Sequence, residues 1–506
     1  MTLPEVEPCL ALGAEGWGAL GRRLRAIGLT SQAYEPFQKL AWNAHRSLRS
    51  PIVKWHLRRD PAPRAVVMRM LAFWDPVTLD EARAALGDAV TPERLVELGV
   101  LGRTAGGGVV SRFVLRLVDD RFVLSDDVNV GGEAVMGVGP TTEGLIAAAR
   151  PRHRARRALD LGCGAGTVAV ALAATCDEVV ATDISTRAVA LTRINAWLNG
   201  IGNVEARAGD LFAPVAGETF DLVVSQPPFV ARDDASPSTT FLFGGARGDE
   251  LVTALLGKLG PHLSPGGTAV LLVEWPIVEG DAPLEQRVRA ALGGSSGDLS
   301  VMVVQWTDVD VDDHCARYPM IGHVWQDEAF ERDAIRRREH FEKTRIRALR
   351  PTFTVVRRTS PGAGWTATVL GRWPGSGAGV RGQLERLIAA RDLVAQGDDA
   401  LRAASLRAGE GVVFSPPAAD GKVDVTLPAE RLQPSLTSNE ESVRLMRFVE
   451  GAPRVDEGIA RCMESEGGSA QDAEAAADAA DALEAVKEAL LLGVLEVRED
   501  PTFLGG

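Results

Sequence analysis

Apolar residues in the first part of the chain recur at helical spacing. Residues 66–74 (VVMRMLAFW) predict an apolar helix, and Thr78-Leu79-Asp80-Glu81 is a capping box opening a second. A third helix starts at Thr91 with Pro92 in its first turn and stops at Gly99. Residues 109–117 and 121–124 then alternate as a hairpin does. From Ala158 the period changes. ALDLG, TVAVALAA, EVVATD, a helix through Asn199, VEARAGD and FDLVVS follow one another, and this alternation predicts a parallel, doubly wound α/β sheet. Helices over 251–263 and 284–292, and strands over 268–274, 300–305 and 352–357, continue it. After residue 358 the SPGAG and WPGSGAG stretches predict turns and a linker. Helices over 383–396, 441–450 and 470–492, a strand pair near 411–425 and a final LEVRED strand complete the pattern.

The chain therefore divides into a helical domain (1–130), a doubly wound α/β domain (131–360) and an α/β-mixed C-terminal module (361–506). In the first, three helices followed by a hairpin is the order of a winged helix, a fold that serves nucleic-acid contact and protein association alike. Composition is that of a globular protein, with 45% hydrophobic and 24% charged residues among 506. No window is long and apolar enough to predict a membrane span. The first residues do not read as a signal peptide, which makes the cytoplasm the expected compartment. The five cysteines are scattered without a CxxC pair, so neither a disulfide framework nor a zinc site is expected. A net charge of −13 argues against coating nucleic acid by bulk electrostatics. Most of the acidic excess lies in residues 381–506. Two arginine-rich stretches, 46–64 and 332–358, are candidate basic surfaces or, on the plainer reading, solvated helix faces.

The candidate chemistry sits on successive strand ends of the α/β domain. Leu159-Asp160-Leu161-Gly162-Cys163-Gly164-Ala165-Gly166 is a strand-to-helix turn whose glycines let a ligand approach the backbone. The spacing departs from the GxGxxG dinucleotide fingerprint. Asp160 before the loop suits a cationic ligand better than a pyrophosphate, and S-adenosyl-L-methionine carries an ammonium and a sulfonium. Asp183, followed by Ile184, ends the next strand, where an acid can accept both hydroxyls of a ribose. Asp210, followed by Leu211, is placed after the third strand to meet an adenine amino group. A fourth strand ends in Ser225-Gln226-Pro227-Pro228-Phe229. None of the histidines forms a convincing His/Asp or Cys/His pair, and they are expected to be structural.

These residues resemble the Rossmann-like class I methyltransferases that carry an (Asn/Asp/Ser)-Pro-Pro-(Tyr/Phe) loop, which include release-factor glutamine, ribosomal RNA guanine-N2 and adenine-N6 enzymes. The resemblance covers residues 139 to about 275. Gly244-Gly245-Ala246-Arg247-Gly248-Asp249 is similar to a segment that often follows the loop. The C-terminal third is loosely similar to small winged-helix modules. The resemblance implies that Asp160, Gly162, Cys163, Gly164, Gly166, Asp183, Ile184, Asp210, Leu211 and Gln226 hold the cofactor. It implies a catalytic loop of Gln226, Pro227, Pro228 and Phe229. There a side-chain carbonyl and the backbone carbonyl after it accept the two N–H bonds of a planar nitrogen, while the aromatic ring stacks on it. Gln226 stands where the family has Asn, Asp or Ser, keeping the amide but adding a methylene. The expected acceptor is a macromolecule or peptide, a protein glutamine or an RNA base. The alternatives are a peptide or small molecule of specialised metabolism, and a non-catalytic scaffold with the same fold.

Overall fold

The computed structural model describes residues 3–42, 46–130, 132–234, 241–317, 327–371, 380–428, 435–465 and 473–498. The WPGSGAG linker, His45, His323 and the end of LEVRED lie outside them. The chain forms two compact units, one of residues 1–295 and 308–358, the other of 296–307 and 359–506.

In the first unit the N-terminal helices are capped as their sequences dictate. Helix α1 spans Gly13–Ala26 and α2 Pro63–Val67, the latter continuing as a π-helical turn over Met68–Ala72. Thr78 and Glu81 make both halves of the capping box on α3 (Leu79–Leu86), and Thr91 caps α4 (Pro92–Glu97). The expected hairpin forms over its later residues, while its first residues join a separate ladder. β1 (Leu101–Arg103) pairs with β2 (Val109–Ser111), and β3 (Val114–Val118) with β4 (Arg121–Ser125). Asp119 and Asp120 take positive φ in the β3–β4 turn, a conformation that Asp tolerates better than most side chains. Val77 bridges to Val109.

The α/β part begins with α5 (Pro140–Ala149). It continues through β5 (Ala155–Leu161), α6 (Thr167–Leu172), β6 (Cys176–Asp183), α7 (Thr186–Leu198), β7 (Val204–Ala208) and β8 (Phe220–Ser225). Then come α8 (Glu250–Leu259), β9 (Leu263–Val278), α9 (Val311–Arg317), α10 (Glu328–Lys343) and β10 (Ile346–Arg358). In this unit the strands run β10-β9-β8-β5-β6-β7, parallel except for the antiparallel β10. The order reverses between β5 and β8, which opens a crevice at their carboxyl ends.

The N-terminal part is fastened to α7 by side chains that imitate a strand. The Asn195 amide accepts the Leu124 N–H (2.8 Å) and donates to the Leu124 and Ala165 carbonyls (both 2.8 Å). Asn199 treats Phe122 the same way, accepting its N–H (3.0 Å) and donating to its carbonyl (2.7 Å). The edge of β4 is thus satisfied without a neighbouring strand.

In the second unit Leu299–Gln305 and Thr366–Leu370 pair in parallel. A three-stranded meander of Val413–Phe414, Lys422–Thr426 and Leu436–Asn439 accompanies the helices Glu440–Glu450, Val455–Ser465 and Ala473–Leu491. Leu406, Val449, Val455, Val486 and Leu490 are among its fully buried core.

Replacing Asn195 by alanine should leave three buried backbone groups unpaired, at a cost of about 2–3 kcal/mol. Thermal unfolding should then show the midpoint lowered by roughly 5 °C. A shift below about 1 °C would mean that β4 finds other partners.

Candidate active site

The ends of β5, β6, β7 and β8 meet around a cavity of about 460 Å³, within the range of small-molecule sites. Every residue named above for the cofactor borders it except Gly166, and so do Gln226, Pro227, Pro228 and Phe229. The glycine loop is built of left-handed backbone, with φ of 76° at Gly162, 54° at Gly164 and 75° at Gly166. A Cβ on Gly166 would stand 2.7 Å from Thr192 Cγ2, so α7 can approach only a glycine there. At Gly162 a Cβ would meet nothing within 4 Å. The loop is locked to β6 by N–H bonds from Gly162 and Cys163 to the Thr182 carbonyl (2.8 and 2.9 Å).

Two buried or half-buried carboxylates flank this loop. Asp160 accepts the Ala169 N–H (2.9 Å), and burial pushes its carboxyl up to about 7, with the negative charge of Asp183 adding to the effect. The Asp183 carboxyl is also raised by burial, against N–H bonds from Ser185 and Gly164 (both 2.9 Å) that favour its charged form. Ile184 beside it is 62% exposed at the cavity edge. Asp210 is exposed and Leu211 takes a φ of 45°, which turns the chain at the end of β7. Cys163 is a buried thiol 3.3 Å from the Thr192 hydroxyl, and burial raises its pKa well above the ordinary value. It is not a nucleophile in this setting.

At the acceptor end the Gln226 amide is held at both atoms. Nε2 donates to the Thr141 hydroxyl (3.0 Å), and the Thr142 hydroxyl donates to Oε1 (3.4 Å). Beyond Phe229, residues Val230–Ala231 pair with Phe243–Gly245, bringing the GGARGD turn against the loop. A Cβ on Gly248 would lie 2.3 Å from the Phe229 carbonyl oxygen, so this close packing requires glycine. The Glu250 carboxylate accepts the N–H groups of Arg247 (2.9 Å) and Gly248 (3.0 Å), fixing the turn to the start of α8.

Two contributions were not legible as site residues in the sequence. Residues 133–137 and Thr141-Thr142 form a roof along the cavity, with the Met136 carbonyl accepting the Ala165 N–H (3.2 Å). The Asp126 carboxylate, 3% exposed, holds that roof by accepting the Val135 N–H (2.8 Å) and pairs bidentately with Arg187 (2.6 and 2.7 Å). The Gly137, Gly139 and Pro140 run before α5 was the available signal. The second contribution is the α9–α10 pair, which braces the outside of the acceptor loop. Arg336 meets Asp233 (3.1 Å) and the His340 ring contacts the Ala246 carbonyl (2.6 Å).

In the arginine-rich stretches, most described arginines of 332–350 are ion-paired, and in 46–64 Arg58 and Arg64 are. Arg337 pairs with Asp333, Arg338 with Asp312 and Glu342, Arg350 with Asp308, Arg332 with Glu328, and Arg347 with Glu279. Arg58 pairs with Asp75 and Arg64 with Asp60, while Arg59 lies 3.8 Å over the Trp55 ring. His262 stacks on Phe212 and bonds the Glu218 carbonyl, and His314 is fully buried 3.3 Å from Glu274. Among the described residues no group of three or more His, Cys, Asp or Glu could hold a metal ion, and no helix is long and apolar enough to cross a membrane.

Comparison with known proteins falls on this same region. Residues 137–253 match the family model of the methyltransferase small domain. The chain is 35% identical over 133 residues to a release factor glutamine methyltransferase of Xylella fastidiosa, covering 24% of this chain and 47% of that protein. It is 32% identical over 161 residues to one of Koribacter versatilis, covering 29% and 57%. The chain thus spans about half the length of these curated relatives. A ribosomal protein L11 methylase structure from Lactobacillus delbrueckii subsp. bulgaricus is 22% identical over 32% of this chain and 68% of that one. Its TM-score of 0.23 is too low to bear on function.

Unliganded protein must leave the Asp160 carboxyl buried without a counter-charge. A carboxyl raised from 3.8 to about 7 on folding contributes stability below the lower value and loses it as pH rises through the upper one. Asp160→Asn should therefore gain in melting temperature relative to the parent as pH rises from about 4 to about 7. A difference that stays constant with pH would show that Asp160 does not ionise in that window.

Proposed function

We propose that the chain is an S-adenosyl-L-methionine-dependent methyltransferase acting on the side-chain amide nitrogen of a protein glutamine. The observation that carries this reading is the Gln226-Pro227-Pro228-Phe229 loop on the same cavity as the glycine loop and Asp183. The residues fit the cofactor. Gly162 leaves the floor open, Asp183 keeps unused lone pairs for ribose hydroxyls, and Asp160 meets a cationic group. When bound, the cofactor supplies an electrophilic methyl group on a sulfonium.

The remaining chemistry belongs to this chain. The Gln226 side-chain carbonyl and the Pro227 backbone carbonyl accept the N–H bonds of the acceptor amide and raise electron density on its nitrogen. Pro227 and Pro228 stiffen the turn, and Phe229 packs against the planar group. The Gln226 and Pro227 carbonyls would hold the acceptor N–H groups while the new N–C bond replaces the cofactor's S–C bond, one of those protons then passing to solvent. A protein acceptor is favoured over RNA because most described arginines of residues 332–350 are ion-paired and the net charge is −13. The likeness to release factor glutamine methyltransferases supports the same acceptor.

The N-terminal region fits a winged-helix-like module. Helix α2, the Val77 bridge, α3, α4 and the β1–β2 pair follow in that fold's order. Glu93 and Glu97 on α4 make it unsuited to a phosphate backbone, which supports a role in protein contact. The division at residues 130 and 360, the roles assigned to each site residue, and a cytoplasmic location are parts of the same reading.

Incubating the protein with labelled cofactor and a bacterial release factor should label one glutamine, located by mass spectrometry. Label on RNA alone, or none on either, would overturn the reading. Asp183→Ala should weaken S-adenosylhomocysteine binding by about 1–3 kcal/mol in calorimetry. Unchanged affinity would remove Asp183 from the ribose site. Gln226→Ala should lower turnover by about 2–4 kcal/mol of transition-state stabilisation, whereas parental activity would leave the acceptor to the backbone.

A further inference from the structure

The extra methylene of Gln226 has a destination. Its amide nitrogen reaches Thr141 Oγ1 at 3.0 Å, and its amide oxygen receives the Thr142 hydroxyl at 3.4 Å. Both threonines lie in the first turn of α5, whose N-cap is Gly139, with no side-chain cap of its own. An asparagine at the same backbone position would carry its amide one C–C bond, about 1.5 Å, shorter. That would move both contacts beyond hydrogen-bond range. Gln226, Thr141 and Thr142 are thus a matched set, two hydroxyls on the roof against one amide on the acceptor loop.

We propose that Thr141 and Thr142 are positioning residues that set the orientation of the Gln226 amide toward the acceptor. This rests on the methyl-transfer reading above. An amide free to rotate about its last bond would present nitrogen and oxygen alternately to the incoming N–H. The amide N–H donates to Thr141 and the Thr142 hydroxyl donates to the oxygen; each hydroxyl can also take the opposite role, so the pair fixes the plane and position of the amide. One lone pair of Oε1 then stays free for the acceptor. The same pair of bonds joins the acceptor loop to the roof, because residues 133–137 lead directly into α5 and line the cavity. The short side chain of the related loops carries no such fastening in this geometry, which accounts for a glutamine here without requiring a different reaction.

The test uses the full chain saturated with S-adenosylhomocysteine and labelled with 15N at the glutamine side-chain amides. Gln226→Ala identifies the Gln226 resonance pair by its loss. In the parent that pair should be displaced from the solvent-exposed glutamines. Thr141→Val should move it back among them, and Thr141→Ser should keep it in place. On a glutamine acceptor, Thr141→Val should lower kcat about tenfold with KM within about twofold, and Thr141→Ser should restore most of kcat. A Gln226 resonance pair unmoved by Thr141→Val, or a kcat equal to or above that of the parent, overturns the proposal. If the parent itself methylates no glutamine acceptor, the methyl-transfer reading fails, and the resonances still decide whether the threonines orient the amide.

Discussion

The carboxylate of Asp126 is the tie on which the site depends. It sits at the end of β4, almost wholly buried, and meets two partners at once: the guanidinium of Arg187 and the backbone N–H of Val135. Arg187 belongs to the first turn of α7, just beyond Asp183 and Ser185. Val135 belongs to the roof. A buried charge of this kind is tolerable only with its partners in place, and removing either strands the other. One ion pair therefore joins the N-terminal ladders, the helix after Asp183 and the segment over the cavity. Asn195 and Asn199 extend the tie along α7 by satisfying the edge of β4.

With that frame fixed, the parallel strand ends deliver their side chains to one crevice. The glycine loop and the Asp183 tip hold one another through the Gly164 N–H, so a ligand meets a prearranged surface. Burial pushes the carboxyls of Asp160 and Asp183 upward, and a cationic ligand would favour their charged forms. The acceptor loop is organised by different means. Gly244 and Gly248 allow the GGARGD turn to pack on its backbone, and α9 and α10 brace it from outside. On the proposed reading, cofactor chemistry and acceptor recognition rest on separate supports that meet at Gln226.

Legibility in the sequence followed the range of the forces involved. The capping box at Thr78, the glycine turn at 162–166 and the alternation of β5 through β8 depend on neighbours within a few residues, and were readable. The QPPF and GGARGD runs were readable as strings, but their mutual packing was not, because it depends on where a Cβ would collide across a turn. The roof was missed because its signal is a few glycines and a proline, and its hold comes from Asp126 and Ala165, far off or across the loop. The hairpin of residues 109–124 is present between β3 and β4, but alternation marks strands and leaves their partners open, and Val109 pairs back toward Arg103. The arginine stretches read as basic until their acidic partners, Asp75, Asp233, Asp308 and Asp312 among them, were placed in space.

Amide hydrogen exchange with and without S-adenosylhomocysteine tests the central claim most directly, namely that the roof and the strand ends form one cofactor site. Ligand should slow exchange in residues 162–166 and 183–185 and, to a similar degree, in residues 133–142. Protection confined to the glycine loop and Asp183, with 133–142 unchanged, would contradict the account and leave the N-terminal part without a role in the site.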